Sequence, residues 1–363
     1  MFFLDQSGRD QAIGLSHQAQ SARQVAAWLM VCCVMVFGMI ILGGVTRLTG
    51  SGLSMVDWQP IKGVIPPLTQ ADWQAAFDQY KQFPEFRYIN QDMDLSGFKF
   101  IFLFEYGHRL LGRLIGIVFF LPMVWFWWQG KILKRYKPKL ILMFVMGGMQ
   151  GLLGWYMVKS GLVDDPHVSQ YRLTAHLMLA VLIYGYMLYV ARDLGELNDR
   201  EPSWQVGSTR FESFLVVYIL VMIASGGFVA GTHAGYIYNT FPLMNGVLFP
   251  DGLTALTPVW LNAFNNVLTI QFNHRWLAYG LIALVLFHRW RVNDASSPRL
   301  VAANWLMAAV AFQVGIGIIT LLNKVPVALG ALHQAGALVV FSASVMVLYS
   351  GRFDPGAVQR MVR

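Results

Sequence analysis

The chain has 363 residues, 56% of them hydrophobic and only 13% charged, with a mean hydropathy of +0.50. That is too apolar for a soluble globular domain and defines an integral membrane protein. The formal charge of +8 does not point to nucleic acid, because the basic residues fall in short connections between apolar runs, where positive charge sets membrane orientation.

The opening residues, MFFLDQSGRDQAIGLSHQAQ, lack both a cleavable apolar region and the Arg-rich, acid-poor character of a transit peptide. The first apolar run is therefore expected to be a retained span of a multi-pass protein of the bacterial inner membrane. Runs long enough to cross a hydrocarbon core of about 30 Å lie at 25–46, 99–128, 138–158, 169–192, 211–233, 265–288, 301–322 and 326–349. They predict an all-α fold of eight transmembrane helices. The expected organisation is a cytoplasmic segment over 1–24, a four-helix bundle over 25–193, a linker over 194–210, a second bundle over 211–350 and a tail over 351–363. Cys32 and Cys33 are neighbours inside the first run and fit neither a loop disulfide nor a CxxC motif.

Lys131, Lys134, Arg135, Lys137 and Lys139 follow the second run; Arg192, Arg200 and Arg210 flank the next even-numbered connection, and Arg289, Arg291 and Arg299 the one after. These connections are expected to face the cytoplasm, together with both termini, while 234–264 has no Lys or Arg and is expected outside. The 47–98 loop, also outside on this reading, carries several basic residues but is long enough to weigh little in the rule.

The chain repeats itself. Gly43 and Gly44 recur as Gly226 and Gly227; FEYGHRLLGR around His108 answers IQFNHRWLAY around His274; GGMQGLLG at Gln150 answers FQVGIGII at Gln313; TAHL at His176 answers ALHQ at His333. Two tandem bundles of even span number imply a pseudo-two-fold axis along the membrane normal. The four histidines sit at matching depth below the outer ends of alternate spans, and ionisable groups at such positions mark functional sites. A lone intramembrane histidine is ordinarily a hydrogen-bonding partner of a neighbouring helix. Two symmetric pairs instead fit two haem irons, each ligated from opposite sides, whereas a zinc or copper cluster needs its ligands convergent at one point. The other histidines, His17, His167, His233 and His288, are expected in surface or headgroup roles.

The halves differ where chemistry would show. Glu105 stands three residues before His108, where the second half has Gln271, and Arg172 stands four before His176, where it has Leu329. A carboxylate transfers protons and an amide does not, so the first half is equipped for reaction and the second for holding a cofactor. The competing role for Glu105 is a buried ion pair with Arg109 or Arg113.

The residues that carry these features resemble the haem A synthase family: TRLTGSGLSMVDWQPIKGVIPPL from Thr46, EYGHR at 105–109, YNTFPLMNG from Tyr238 and FNHR at 272–275, with His176 and His333. The resemblance implies oxidation of a methyl substituent of haem O to the formyl group of haem A by successive hydroxylations. It implies His274 and His333 as ligands of a cofactor haem b, His108 and His176 as ligands of the substrate haem, and Glu105 as the catalytic group; Arg109 and Arg172, by their positions beside the histidines, are expected as secondary site residues. The implied partners are haem O, a haem O synthase as its donor, an electron acceptor and membrane lipid, and a homo-oligomeric assembly is compatible with them. Some members of the family carry a cysteine pair in the first outer loop, and this chain has none there. The rival readings are a bis-haem transmembrane electron carrier and a haem transporter or chaperone. The topology has a direct check: reporter fusions at residues 135 and 250 are expected to signal opposite compartments, and one shared compartment would dismantle the eight-span arrangement.

Overall fold

The computed structural model describes residues 6–56, 62–162, 167–196, 209–292 and 298–352, with side chains in the first helix described from His17 onward. Arg200, most of the 194–210 linker, the tail from 353 and residues 57–61 of the long first motif lie outside the described residues. The described residues hold eleven α-helices and no strand beyond an isolated bridge between Met244 and Val247. These are α1 (Gln6–Leu48), α2 (Gln70–Tyr80), α3 (Pro84–Tyr88), α4 (Leu95–Trp128), α5 (Lys137–Lys159), α6 (Gln170–Gly195), α7 (Arg210–Gly231), α8 (Asn262–Asn265), α9 (Val267–Arg291), α10 (Pro298–Leu322) and α11 (Val327–Ser350).

The protein is an all-α polytopic membrane protein. Seven helices are long and apolar enough to cross a membrane. The remaining long helix, α9, has 25 residues but falls short in hydropathy, because Gln271, Asn273, His274 and Arg275 crowd its outer half and His288, Arg289 and Arg291 its inner end. The helix ends lie within a few residues of the apolar runs, with one large difference. Helix α1 begins at Gln6 rather than near residue 25, since no proline interrupts the stretch before the apolar run and its Ala, Gln and Arg residues favour helix.

Helices α1, α4, α5 and α6 pack in a ring in that order, and α7, α9, α10 and α11 form a second ring. Consequently α4 is diagonal to α6, and α9 to α11. The rings meet through α1, α6, α7 and α11, while α4, α5, α9 and α10 face outward. Outward faces carry exposed Phe100, Leu121, Val145, Leu152 and Phe312, with Trp128, Trp290 and Trp305 near helix ends. Such surface is stable only against lipid, with the tryptophans suited to its interface. The core fills the inner half of the central four helices: Leu29, Cys32, Met187, Leu215, Ile219, Leu338 and Phe341 are buried together. Gly185 lets the ring of Phe341 approach to where a Cβ would stand 2.5 Å away. The outer half of each ring is left for the polar residues described below.

The 47–98 loop is a small folded cap that the hydropathy pattern does not announce. Thr69 and Asp72 form a reciprocal capping box at the start of α2, and Phe77 and Tyr80 pack with Phe98, Ile101 and Phe102 of α4. Each buried aromatic contributes on the order of 1.5–3 kcal/mol, enough to extend α4 four residues outward of its expected start, where Asp94 caps it. Glu85 of α3 is buried beneath this cluster and accepts a hydrogen bond from Tyr80 at 2.9 Å, while Asn90 donates to the Tyr80 oxygen at 2.8 Å.

Burial, reinforced by the negative charge of Glu105 and opposed by the Tyr80 hydrogen bond, pushes the Glu85 carboxyl up to about 7. A raised folded-state value means that the folded cap holds a proton the unfolded segment has released, so stability is greatest below the ordinary carboxylate range and is lost as pH rises through about 7. Amide hydrogen exchange in α2 and α3 is expected to show less protection at pH 8 than at pH 5, after correction for intrinsic rates. Glu85→Gln is expected to remove that difference, and a pH dependence unchanged in the variant would exonerate Glu85.

Candidate functional site

Each of the four repeated histidines is seated against a glycine of the neighbouring helix. A Cβ at Gly43 of α1 would lie 3.1 Å from His108 Nε2, one at Gly154 of α5 2.9 Å from His176 Cε1, one at Gly226 of α7 3.4 Å from His274 Cε1, and one at Gly317 of α10 2.8 Å from His333 Cε1. All four glycines stand five residues before the C-terminal end of their helix: 48 − 43, 159 − 154, 231 − 226 and 322 − 317. At 1.5 Å per residue the imidazoles therefore share one level, about 7.5 Å inside the helix ends. His108 and His176 project from the diagonal helices of the first ring, and His274 and His333 from those of the second.

Glutamines and a serine orient these rings. Gln150 Nε2 donates to the main-chain oxygen of His176 at 3.0 Å and lies 3.3 Å from its Nε2; Gln313 Nε2 donates to the main-chain oxygen of His333 at 2.9 Å and lies 3.1 Å from its Nδ1. Ser225 Oγ is 3.1 Å from His274 Nδ1. The repeat of Gln150 in Gln313 is visible in the sequence, but its use as a histidine partner is not.

The glycine doublets also join the two halves. Beside Gly43, Gly44 receives the amide of Gln334, which donates to the Ile40 carbonyl at 2.7 Å. Beside Gly226, Gly227 receives Thr174 of α6, where a Cβ would meet the hydroxyl at 2.9 Å. One glycine of each doublet thus seats a histidine of its own ring, and the next admits the helix that carries a histidine of the other.

Glu105 is 3% exposed and points at the chain leaving α1. Its Oε2 accepts from the Ser54 hydroxyl and the Met55 N–H, both at 2.7 Å, and its Oε1 accepts from Arg109 at 2.5 Å, while Arg109 also donates to the Met55 carbonyl at 2.9 Å. The second half repeats the clamp with inverted polarity. Gln271 donates to the carbonyls of Ala234 and Ile237 at 3.0 and 2.6 Å, and Arg275 donates to those of Tyr238 and Thr240 at 2.6 and 2.8 Å. The segment after α1 presents donors and takes a carboxylate; the segment after α7 presents carbonyls and takes an amide. Arg172 lies over the Tyr156 ring at 3.7 Å and donates to the Tyr156 carbonyl at 2.9 Å, tying α6 to the end of α5.

Among the remaining histidines, His17, His167 and His233 are exposed, and the last two meet ring to ring at 6.1 Å. His288 corrects the expectation of a surface role. It is 3% exposed, stacks on Phe211 at 5.8 Å and stands 4.0 Å from Glu212, which Arg299 holds at 2.8 Å. The acidic residue in the first turn of α7 gives the inner end of α9 a buried partner that its basic sequence neighbours conceal. Among the described residues no three His, Cys, Asp or Glu side chains converge as a metal cluster requires. Paired histidines on diagonal helices, each with glycine in place of a side chain beside its ring, are a donor set that suits a flat macrocycle.

Fold and site together define a polytopic helical membrane protein with two histidine pairs in repeated four-helix rings. The family model of cytochrome oxidase assembly proteins, COX15-CtaA, matches residues 26–345. The chain is 48% identical to the haem A synthase of Parvibaculum lavamentivorans over 322 residues, 88% of this chain and 92% of that one. It is 48% identical to that of Nitrosospira multiformis over 331 residues, 90% and 92% of the two chains, and 47% identical to that of Nitrosomonas eutropha over 334 residues, 90% and 94%. The chain belongs to the haem A synthase family.

The two clamps differ in what a deletion leaves behind. Arg109→Ala strands the buried Glu105 carboxylate without its cation, which costs about 3–5 kcal/mol. Arg275→Ala strands two main-chain carbonyls, one of them at an exposed position where water replaces the donor, so the loss is about 1–3 kcal/mol in all. In thermal melts of the detergent-held protein Arg109→Ala is expected to lose the greater stability, and equal losses would count against the buried ion pair.

Proposed function

We propose that the protein converts haem O to haem A, oxidising a methyl substituent to formyl by successive hydroxylations. On this reading the first ring binds haem O between His108 and His176, and the second holds haem b between His274 and His333. The observation that carries it is the level of the four imidazoles, each seated on a glycine five residues from a helix end, because only facing rings at one depth ligate a haem from both sides. His274 and His333 would hold haem b, which would supply one-electron transfer there.

The chain's own residues provide the asymmetry. Glu105 lies one turn outward of His108 on the same helix, buried and held by Ser54, Met55 and Arg109. It is the proton acceptor for the substrate edge on that side, and Arg109 holds it in place. Gln271, in the same place in the second ring, holds its loop and moves no proton. The cap over α4 closes the substrate side from above through Tyr106, which donates to the Val64 carbonyl at 2.7 Å. Both termini are cytoplasmic and the cap is outside, as the basic connections indicate, and α9 crosses the membrane as the eighth span because its polar residues face the ring interior and the loop after α7.

Extraction and mass analysis of the copurifying haems tests the reading. The wild type is expected to carry haem b with haem O or haem A, and His274→Ala and His333→Ala to lose the low-spin haem b. Glu105→Gln is expected to keep haem b and haem O while making on the order of 10²–10⁴-fold less haem A. An unchanged low-spin spectrum in both histidine variants would overturn the cofactor assignment, and only chemically unaltered haem in the wild type would favour a carrier.

A further inference from the structure

The first histidine of each pair differs between the halves in what its ring nitrogens meet. Ser225, whose hydroxyl is 3.1 Å from His274 Nδ1, immediately precedes the glycine that seats that imidazole. The aligned stretches are GMIILGG in α1 and VMIASGG in α7, so the equivalent of Ser225 is Leu42, which has no polar side-chain atom. Neither ring nitrogen of His108 has a hydrogen-bond partner among the described residues. The later histidines share a main-chain hydrogen bond, from Gln150 to His176 and from Gln313 to His333, but their rings differ as well: Gln313 Nε2 stands 3.1 Å from His333 Nδ1, whereas His176 Nδ1 is buried without a partner among the described residues.

An imidazole that coordinates iron through Nε2 carries its proton on Nδ1, and an acceptor for that proton fixes the tautomer and ring plane and strengthens the ligand. We propose that Ser225 is the positioning residue that makes the second ring a haem-retaining site, and that Leu42 in its place makes the first ring a haem-releasing one. The inference rests on the haem reading above and deepens it. A cofactor haem serves every turnover and must stay, whereas the substrate site must admit haem O and release haem A. The Ser225 hydroxyl accepts the Nδ1–H of His274, so the ring cannot rotate out of the ligating plane without leaving a buried donor unmatched. His108 carries no such restraint, and its imidazole swings free of iron at lower cost.

The test measures haem loss from the purified full-length protein in lipid nanodiscs to an excess of apomyoglobin, followed by absorbance, with the haem b midpoint potential recorded alongside. Ser225→Ala is expected to start with a normal low-spin spectrum, to lose haem b on the order of 10–100-fold faster than wild type and to show a raised potential, because a weaker ligand favours the ferrous state. Ser225→Thr, which keeps the hydroxyl, is expected to restore both values, a pattern that packing alone would not give. Leu42→Ser is expected to slow release of the haem bound at His108. Wild-type rates and potential in Ser225→Ala would overturn the role of Ser225, and unchanged release in Leu42→Ser would overturn that of Leu42. Haem b that stays fully bound and low-spin in His274→Ala would instead refute the haem reading itself.

Discussion

The structure depends on four places where a histidine ring lies against a helix that has no side chain to offer. At Gly154 and Gly317 a methyl group would stand under 3 Å from the imidazole, closer than carbon atoms approach without displacement. The glycines therefore make room for the rings at one position in each helix, five residues from its end. Helix pairs that carry small residues at the crossing pack closely in lipid, where dispersion rather than the hydrophobic effect holds helices together. The same residues that let the helices approach make room beside the imidazoles.

From that constraint follows the division of each bundle into two zones. The inner half, around Leu29, Met187, Leu215 and Leu338, is closely packed and apolar, and it sets the positions of α1, α6, α7 and α11 against one another. The outer half holds polar side chains whose partners are mostly main-chain atoms: Gln150 and Gln313 on histidine carbonyls, Gln334 on Ile40, Gln271 and Arg275 on the segment after α7. Polar groups at membrane depth are tolerated when they are satisfied inside the protein. Their number on α9 is what drops that helix below the hydropathy of the other long helices.

Glu105 holds the segment after α1 as Gln271 holds the segment after α7. Its carboxylate accepts a hydroxyl, a backbone N–H and a guanidinium, so it closes the first ring as firmly as Gln271 closes the second. The substitution between halves is matched by inverted polarity in the loop it grips, which is why the clamp survives in both. A carboxylate at that position adds a proton acceptor one turn from His108, and the second ring gives up that capacity while keeping the geometry.

The sequence by itself determined the helical membrane class, the order of the long helices, the two-fold repeat and the four histidines with Glu105 beside one of them. These are local or periodic signals: hydropathy accumulates along a continuous run, and a repeat leaves its trace residue by residue. Only the tertiary structure decided which helices are diagonal, that Glu105 grips residues some fifty positions earlier, that Ser225 meets His274, that the first outer loop folds as a cap and that His288 is buried on Phe211 and Glu212. Each of these joins side chains far apart in the chain, and their meeting is set by helix crossings and rotamers that depend on every neighbour at once.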